Sequence, residues 1–433
     1  VVAATGVLTG AVDDPGPTRT LTYRAEAVHD FAWMADPFME TIRAVARNDA
    51  GEVEVVVYFR EPQRAFAERH LATGVRAIEV LSRLLGAYPW SRMSIVDPPT
   101  DAAFGAGGME YPTLVTTGGD TVLAPEGVRA PEYVTIHEVG HNWFQGMLAS
   151  NEVDEAWLDE GLNEYVDAQV MHELYGREES SFDLWGMYGD ILETRSWGAM
   201  FGEDPDPATQ PSYRFVDAFS YGDVTYMKVA AALWTLEHVV GSARFRAALG
   251  AYAREMAFRH PTEADLVRVL EREVGQDIDW FLEPALRRVG SAELGVRSIR
   301  CARKQPPSGV FGRGPLRRAV SAGAADDAPY LCAVVIENLG AVPVPVEVEV
   351  TFADGRTARR RWDDRGGAQR WTRFDIEDAQ PVVEVEIDPD RLVLLDDGGL
   401  RRSLRVEPEV EPVARASARA QFFTQTAMQV LGL

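Results

Sequence analysis

Residues 137–165 read HEVGHNWFQGMLASNEVDEAWLDEGLNEY, and the first five of them decide the fold. On a helix, positions four apart share a face, so His137 and His141 can both reach one ion with Glu138 beside them. Two imidazole nitrogens and a carboxylate at that spacing suit a catalytic zinc site, where the carboxylate takes a proton from the metal's water. Such sites commonly keep three protein ligands and one open position. The third candidate is Glu160 in Trp157-Leu158-Asp159-Glu160-Gly161, with eighteen residues between it and His141. That gap lets the first helix finish near Gly146 and a second helix bring Glu160 inward. Glu164, one turn further on, reads either as a partner of a ligand histidine or as a solvated helix carboxylate.

Working outward, Gly51–Arg60 reads as a strand, Glu61–Leu85 as a helix ending near Gly86, and Ser94–Val96 as a short strand. A Gly-rich loop, Gly105–Gly108, then leads into Met109–Thr116, which reads as extended. From Pro131 to about Arg288 the pattern is helix after helix, punctuated by Gly146, Gly161, Gly176, Gly241 and Gly275. Beyond about Val289 the pattern changes to alternating segments, Tyr330–Glu337, Val346–Phe352 and Val382–Ile387, with turns such as Asp354-Gly355, the signature of an antiparallel β-sandwich. Cys301 and Cys332 both fall in this region, and we expect them to form a structural disulfide. Residues 1–25 read as the last strands of a domain whose beginning lies upstream, so the chain is expected to be an excerpt. The last stretch, with Phe422, Phe423, Met428 and Leu431 on one face, reads as a docking helix or as the first turns of a membrane attachment continued beyond the C-terminus.

The 433 residues carry 67 acidic and 43 basic side chains, a net charge of −24 with His neutral. That balance argues against nucleic acid, whose phosphates need compensating cations, and against electrostatic docking on anionic lipid. Only Lys228 and Lys304 are lysines. No run of eighteen apolar residues occurs, so nothing in the sequence reads as a membrane span.

The 137–165 stretch resembles the gluzincin metalloaminopeptidase family, which includes alanyl aminopeptidases and the leukotriene hydrolase. In that family the two His of H-E-x-x-H and the Glu of W-L-x-E-G bind zinc, and the Glu within H-E-x-x-H is the general base. The resemblance puts those roles on His137, His141, Glu160 and Glu138, with one Zn²⁺ per chain. The family's upstream G-x-M-E-N motif is matched by Gly107-Gly108-Met109-Glu110-Tyr111, with Tyr in place of the final Asn. There Glu110 would bind the substrate's α-ammonium by a charge-assisted hydrogen bond, beside Gly107, Gly108 and Met109. The family's Y-x-K-G segment, with a second Tyr five residues earlier, is matched by Tyr226-Met227-Lys228-Val229 and Tyr221 except for the last Gly. Tyr226 would donate to the developing oxyanion.

The resemblance implies an α+β protein: a thermolysin-like, mainly helical catalytic domain with a small mixed sheet over 26–290, an antiparallel β-sandwich over 291–410, and a helical tail over 411–433. A remnant of an N-terminal β-domain would occupy 1–25. The implied activity is zinc-dependent removal of the first residue from peptides with a free N-terminus by a metal-activated water. Two alternatives stand beside it, a zinc endopeptidase with the same metal site and a catalytically silent zinc scaffold. Arg259 and His260 read as a structural helix end or as a contact to the peptide beyond the cleaved bond. His29, His70, His172 and His238 fit no ligand spacing.

Overall fold

The run Val53–Phe59 is buried almost without interruption, as expected of a strand covered on both faces in a partly parallel sheet. It lies in the strand Gly51–Arg60, which pairs antiparallel with Met39–Asn48 and parallel with Arg92–Val96; Leu114–Thr116 adds a second parallel pair. Parallel neighbours need a long crossover, and here it is the helix Arg64–Leu85. Its buried positions, Ala67, His70, Thr73/Gly74, Ala77/Ile78, Val80/Leu81 and Leu85, come as singles or adjacent pairs three to four residues apart, the spacing of one buried face.

The computed structural model describes residues 1–118, 124–193, 205–304, 309–320, 328–367 and 369–407, with 421, 422 and 425. The tail expected to be helical lies outside the described residues apart from those three positions. The described residues are mixed α+β and divide into two compact units, Val1–Ser291 with Leu392–Leu395, and Ala292–Arg391 with Asp396–Leu433.

In the first unit the helix Ala130–Trp143 carries the two histidines and continues through a wider π turn, Phe144–Leu148, to a left-handed Ala149. The helix Glu160–Tyr175 follows, and every residue from Gly161 to Met171 is buried. Three expectations need correction. Met109–Thr116 is not one extended run: the chain turns at Thr113, whose φ is +61°, and Met109 pairs antiparallel with Thr116. Thr113 accepts the turn because Asn142 Oδ1 takes its N–H and its hydroxyl accepts the Gly6 N–H. The Gly-rich loop before it includes a helical turn, Ala103–Ala106. Finally, the helical stretch is interrupted by a β-hairpin, Phe182–Leu184 with Met187–Gly189, and Gly146 and Gly161 lie inside helical turns rather than between helices.

Among the described residues the second unit holds a two-stranded antiparallel sheet, Gly309–Phe311 with Arg318–Val320, and two larger antiparallel ones. Leu294–Arg303, Tyr330–Asn338 and Trp371–Asp378 form one; Thr357–Trp362, Val346–Phe352, Val382–Ile387 and Ser403–Arg405 form the other. Val346, Val348, Val350 and Phe352 are buried and alternate with less buried neighbours, the period-two pattern of a strand with one covered face. Cys301 and Cys332 sit opposite each other in the first sheet and are joined by a disulfide. Thiol alkylation of denatured, unreduced protein should therefore label neither cysteine, and two alkyl groups by mass spectrometry would contradict the bond.

Candidate metal centre and active site

His137 and His141 are on one face of their helix and are nearly inaccessible to solvent. Each ring is held by a carboxylate from the following segment. His137 Nδ1 lies 2.8 Å from Asp167 Oδ2, and His141 Nδ1 lies 2.7 Å from Asp159 Oδ1. When both Nδ1 atoms donate to these carboxylates, both Nε2 atoms present lone pairs. Those atoms are 3.0 Å apart, and Glu160 Oε2 lies 3.4 and 3.1 Å from them. Three facing lone pairs repel one another unless a cation lies between them.

Tetrahedral zinc bound at about 2.0–2.1 Å sets its ligand atoms roughly 3.3 Å apart, and the three spacings here bracket that value. Glu160 Oε2 is buried with no hydrogen-bond partner, as a ligand oxygen would be without its metal. The donors thus fit zinc in number, kind and spacing. Electrostatics agree. Burial opposes a charge on either imidazole, but the surrounding carboxylates outweigh it and hold both rings well above the usual histidine pKa. Burial likewise opposes ionisation of Glu160, yet His141 and His137 hold it well below the usual carboxylate range. The pocket is built for positive charge.

Two glycines let these helices approach. A Cβ on Gly140 would lie 2.1 Å from Asn163 Oδ1, and one on Gly161 would lie 2.3 Å from Val229 Cγ1. The first contact lets Asn163 Nδ2 donate to the His137 carbonyl at 2.8 Å. The second brings up the π turn Asp223–Lys228, which carries Tyr226. Such a turn displaces its side chains from ordinary helical positions and is frequent at functional sites. The Tyr226 hydroxyl donates to Glu160 Oε1 at 2.5 Å, and its ring stacks at 6.0 Å from that of His137. Tyr221 packs edge-on against Tyr226.

Glu138 is buried, its Oε2 has no hydrogen-bond partner, and burial pushes its carboxyl up to about 7 against the opposing pull of the two histidines. Gly108 passes over it: a Cβ there would lie 3.6 Å from Glu138 Oε1. The loop holding Gly107, Gly108, Met109 and Glu110 is tied to the sheet edge, since Gly108 N–H donates to the Thr116 carbonyl and Thr116 N–H to that of Met109. Glu110 has carboxylates of Glu152 and Asp159 as neighbours.

Asp159, Asp167, Asn163 and Glu152 escaped the sequence reading. Asp167 lies seven positions after Glu160, on the same face, which is the available signal; instead Glu164 was weighed as the histidine partner, and it accepts the Tyr133 hydroxyl. His260 caps the π turn through the Ala149 carbonyl, and the neighbouring Phe258 and His260 N–H groups bond Met147 and Leu148. Of the remaining histidines, His70, His172 and His238 bond Thr135, Asp190 and the Trp234 carbonyl.

An H-E-x-x-H helix packed against a mixed sheet, with a third ligand on the next helix, is the arrangement of a zinc metallopeptidase. Residues 69–284 match the Peptidase family M1 domain, and the chain carries a domain of that family. It is 25% identical over 240 residues to the tricorn protease-interacting factor F2 of Thermoplasma volcanium, covering 51% of this chain and 28% of that protein. It is 28% identical over 206 residues to leukotriene A-4 hydrolase of Xenopus laevis, covering 46% and 32%. The fold is shared with Legionella pneumophila aminopeptidase A, solved in complex with aspartic acid, at a TM-score of 0.66 and 15% identity over 89% of this chain and 42% of that one. The chain therefore spans about a third of the length of the curated relatives it matches.

If Asp167 orients His137 for the metal, Asp167→Asn should weaken zinc binding by about 10–100-fold while leaving the helical circular dichroism unchanged. Competition with a chromogenic chelator measures it, and wild-type affinity would remove that role.

Proposed function

We propose that this chain is the catalytic part of a zinc aminopeptidase that hydrolyses the first residue from peptides. The observation that carries the reading is the convergence of His137 Nε2, His141 Nε2 and Glu160 Oε2, with Glu138 alongside and Glu110 at the rim. His137, His141 and Glu160 would hold the ion. Zinc, when bound, polarises the scissile carbonyl and lowers the pKa of a water beside it.

The chain's own groups do the rest. Glu138 takes a proton from the attacking water and passes it to the leaving amine. Tyr226 gives up its bond to Glu160 and donates to the developing oxyanion. Glu110 binds the α-ammonium by a charge-assisted hydrogen bond and so places the first peptide bond at the metal. Gly107, Gly108 and Met109 present that carboxylate from the sheet edge. On this reading the fold is a thermolysin-like catalytic domain followed by a β-sandwich.

Glu138→Gln should keep its zinc and lose about 10²–10⁴-fold in kcat, read by metal analysis beside turnover of an aminoacyl anilide. Substantial residual turnover would contradict the base assignment. Wild type should cleave the free aminoacyl substrate and spare its N-acetylated form. Preference for the blocked form would make the protein an endopeptidase, and zinc binding without turnover of either would make it a scaffold.

A further inference from the structure

Glu110 has two acidic neighbours: Glu152, which the zinc chemistry leaves without a role, and Asp159, of which it uses only the oxygen that holds His141. Glu152 opens the short helix Glu152–Glu155, and Asp159 precedes the ligand Glu160. One carboxylate oxygen from each of Glu110, Glu152 and Asp159 lies within 4.8 Å of the other two. Among the described residues, neither Glu110 nor Glu152 makes a side-chain hydrogen bond or ion pair. Asp159 is 1% exposed; its Oδ1 accepts from His141 and its Oδ2 is buried with no partner. A buried carboxylate with a spare oxygen, next to two unpaired carboxylates, is an unfavourable arrangement until a cation arrives. Burial and the charges of Asp159 and Glu110 push the Glu152 carboxyl up to about 7, which reports the same uncompensated charge.

The shape of that cation follows from the triangle. A primary ammonium has three N–H donors in tetrahedral directions. With N···O distances of about 2.8 Å, its three acceptors sit roughly 4.6 Å apart, within the observed limit. A side-chain ammonium and an α-ammonium of one residue are too far apart to share a triangle this small, so it takes a single charged nitrogen.

We propose that Glu152 and Asp159 complete, with Glu110, a three-carboxylate socket for the substrate's α-ammonium, and that the socket selects primary over secondary amines. This rests on the aminopeptidase reading above and narrows its substrate class. Peptides beginning with proline or an N-methylated residue offer only two N–H donors and leave one of the three carboxylates unpaired. An unmade hydrogen bond to a charged group is costly, so the socket discriminates by donor count, independently of first-residue side-chain shape.

The test uses the zinc-loaded chain and three small ligands, alaninamide, N-methylalaninamide and N-acetylalaninamide, with Kd measured by NMR titration and kinetics run on the matching anilides. Wild type should bind alaninamide about 10–100-fold more tightly than the N-methyl form. Glu152→Gln should weaken alaninamide by about tenfold, appear in KM more than in kcat, and shrink the primary-over-secondary preference; Glu152→Asp should recover part of it. Equal wild-type binding of the primary and secondary amines, or of none of the three, overturns the socket, and this result needs no variant. A Glu152→Gln protein with wild-type KM and preference overturns it too, as does a second equivalent of metal lost in that variant. In those last two cases wild type still cleaves the free alanyl anilide, so the aminopeptidase reading survives. Preference for the N-acetylated ligand instead overturns that reading and the socket with it.

Discussion

Two imidazole Nε2 atoms 3.0 Å apart, which face one another as lone pairs when both Nδ1 atoms donate, are the constraint on which the first unit depends. Left alone they repel, so the chain must force the rings together and also supply the anions that make a cation welcome there. Asp167 and Asp159 fix both rings through their outer nitrogens, and Glu160 closes the third corner. All three acids come from one short stretch, Asp159–Asp167, so a single helix start decides both the third ligand and the orientation of the first two. Buried carboxylates in such numbers would destabilise an ordinary core. Here Asp159 and Asp167 are each paired with a histidine ring, and Glu160 accepts from the Tyr226 hydroxyl.

The packing around that centre is set by what is missing as much as by what is present. Gly140 and Gly161 lack the Cβ that would keep the ligand helices from Asn163 and from the Tyr226 turn. Close approach then fixes distances that longer side chains would leave adjustable, which suits a site whose donors must hold positions to a fraction of an ångström. The reach of Glu110 is set in a different way, by backbone pairing of its loop to Thr116. Rigid parts of the fold thus set both the convergence of His137, His141 and Glu160 and the position of the loop that carries Glu110.

What was legible in the sequence follows from what local pattern can encode. The strand Gly51–Arg60 was readable as a short, nearly continuous apolar run, and the helix ending at Leu85 by a period repeated over many residues. That His137 and His141 share a face was readable because a spacing of four is a helix property. The turn within Met109–Thr116 was not, because it is stabilised by Asn142 and Gly6, both distant in the chain. The same holds for Asp167 and Glu152: a carboxylate that supports a ligand, or faces another carboxylate, looks in sequence like any helix acid. The hairpin Phe182–Gly189 was missed because its strands are three residues each, too short for alternation to register.

The crossover helix Arg64–Leu85 is bound to the helix that carries the two histidines. Four hydrogen bonds tie the crossover helix and its end to the H-E-x-x-H helix along the latter's length: two from Arg69 to Glu132, one between His70 and Thr135, and one from the Trp143 indole to the Gly86 carbonyl. The ligand helix therefore cannot slide or fray without parting from the element that joins two parallel strands of the sheet. Opening of the metal site and breakdown of the sheet become one cooperative event. The two histidines thus share the anchorage of the sheet's crossover, and parting their helix from it costs contacts of both.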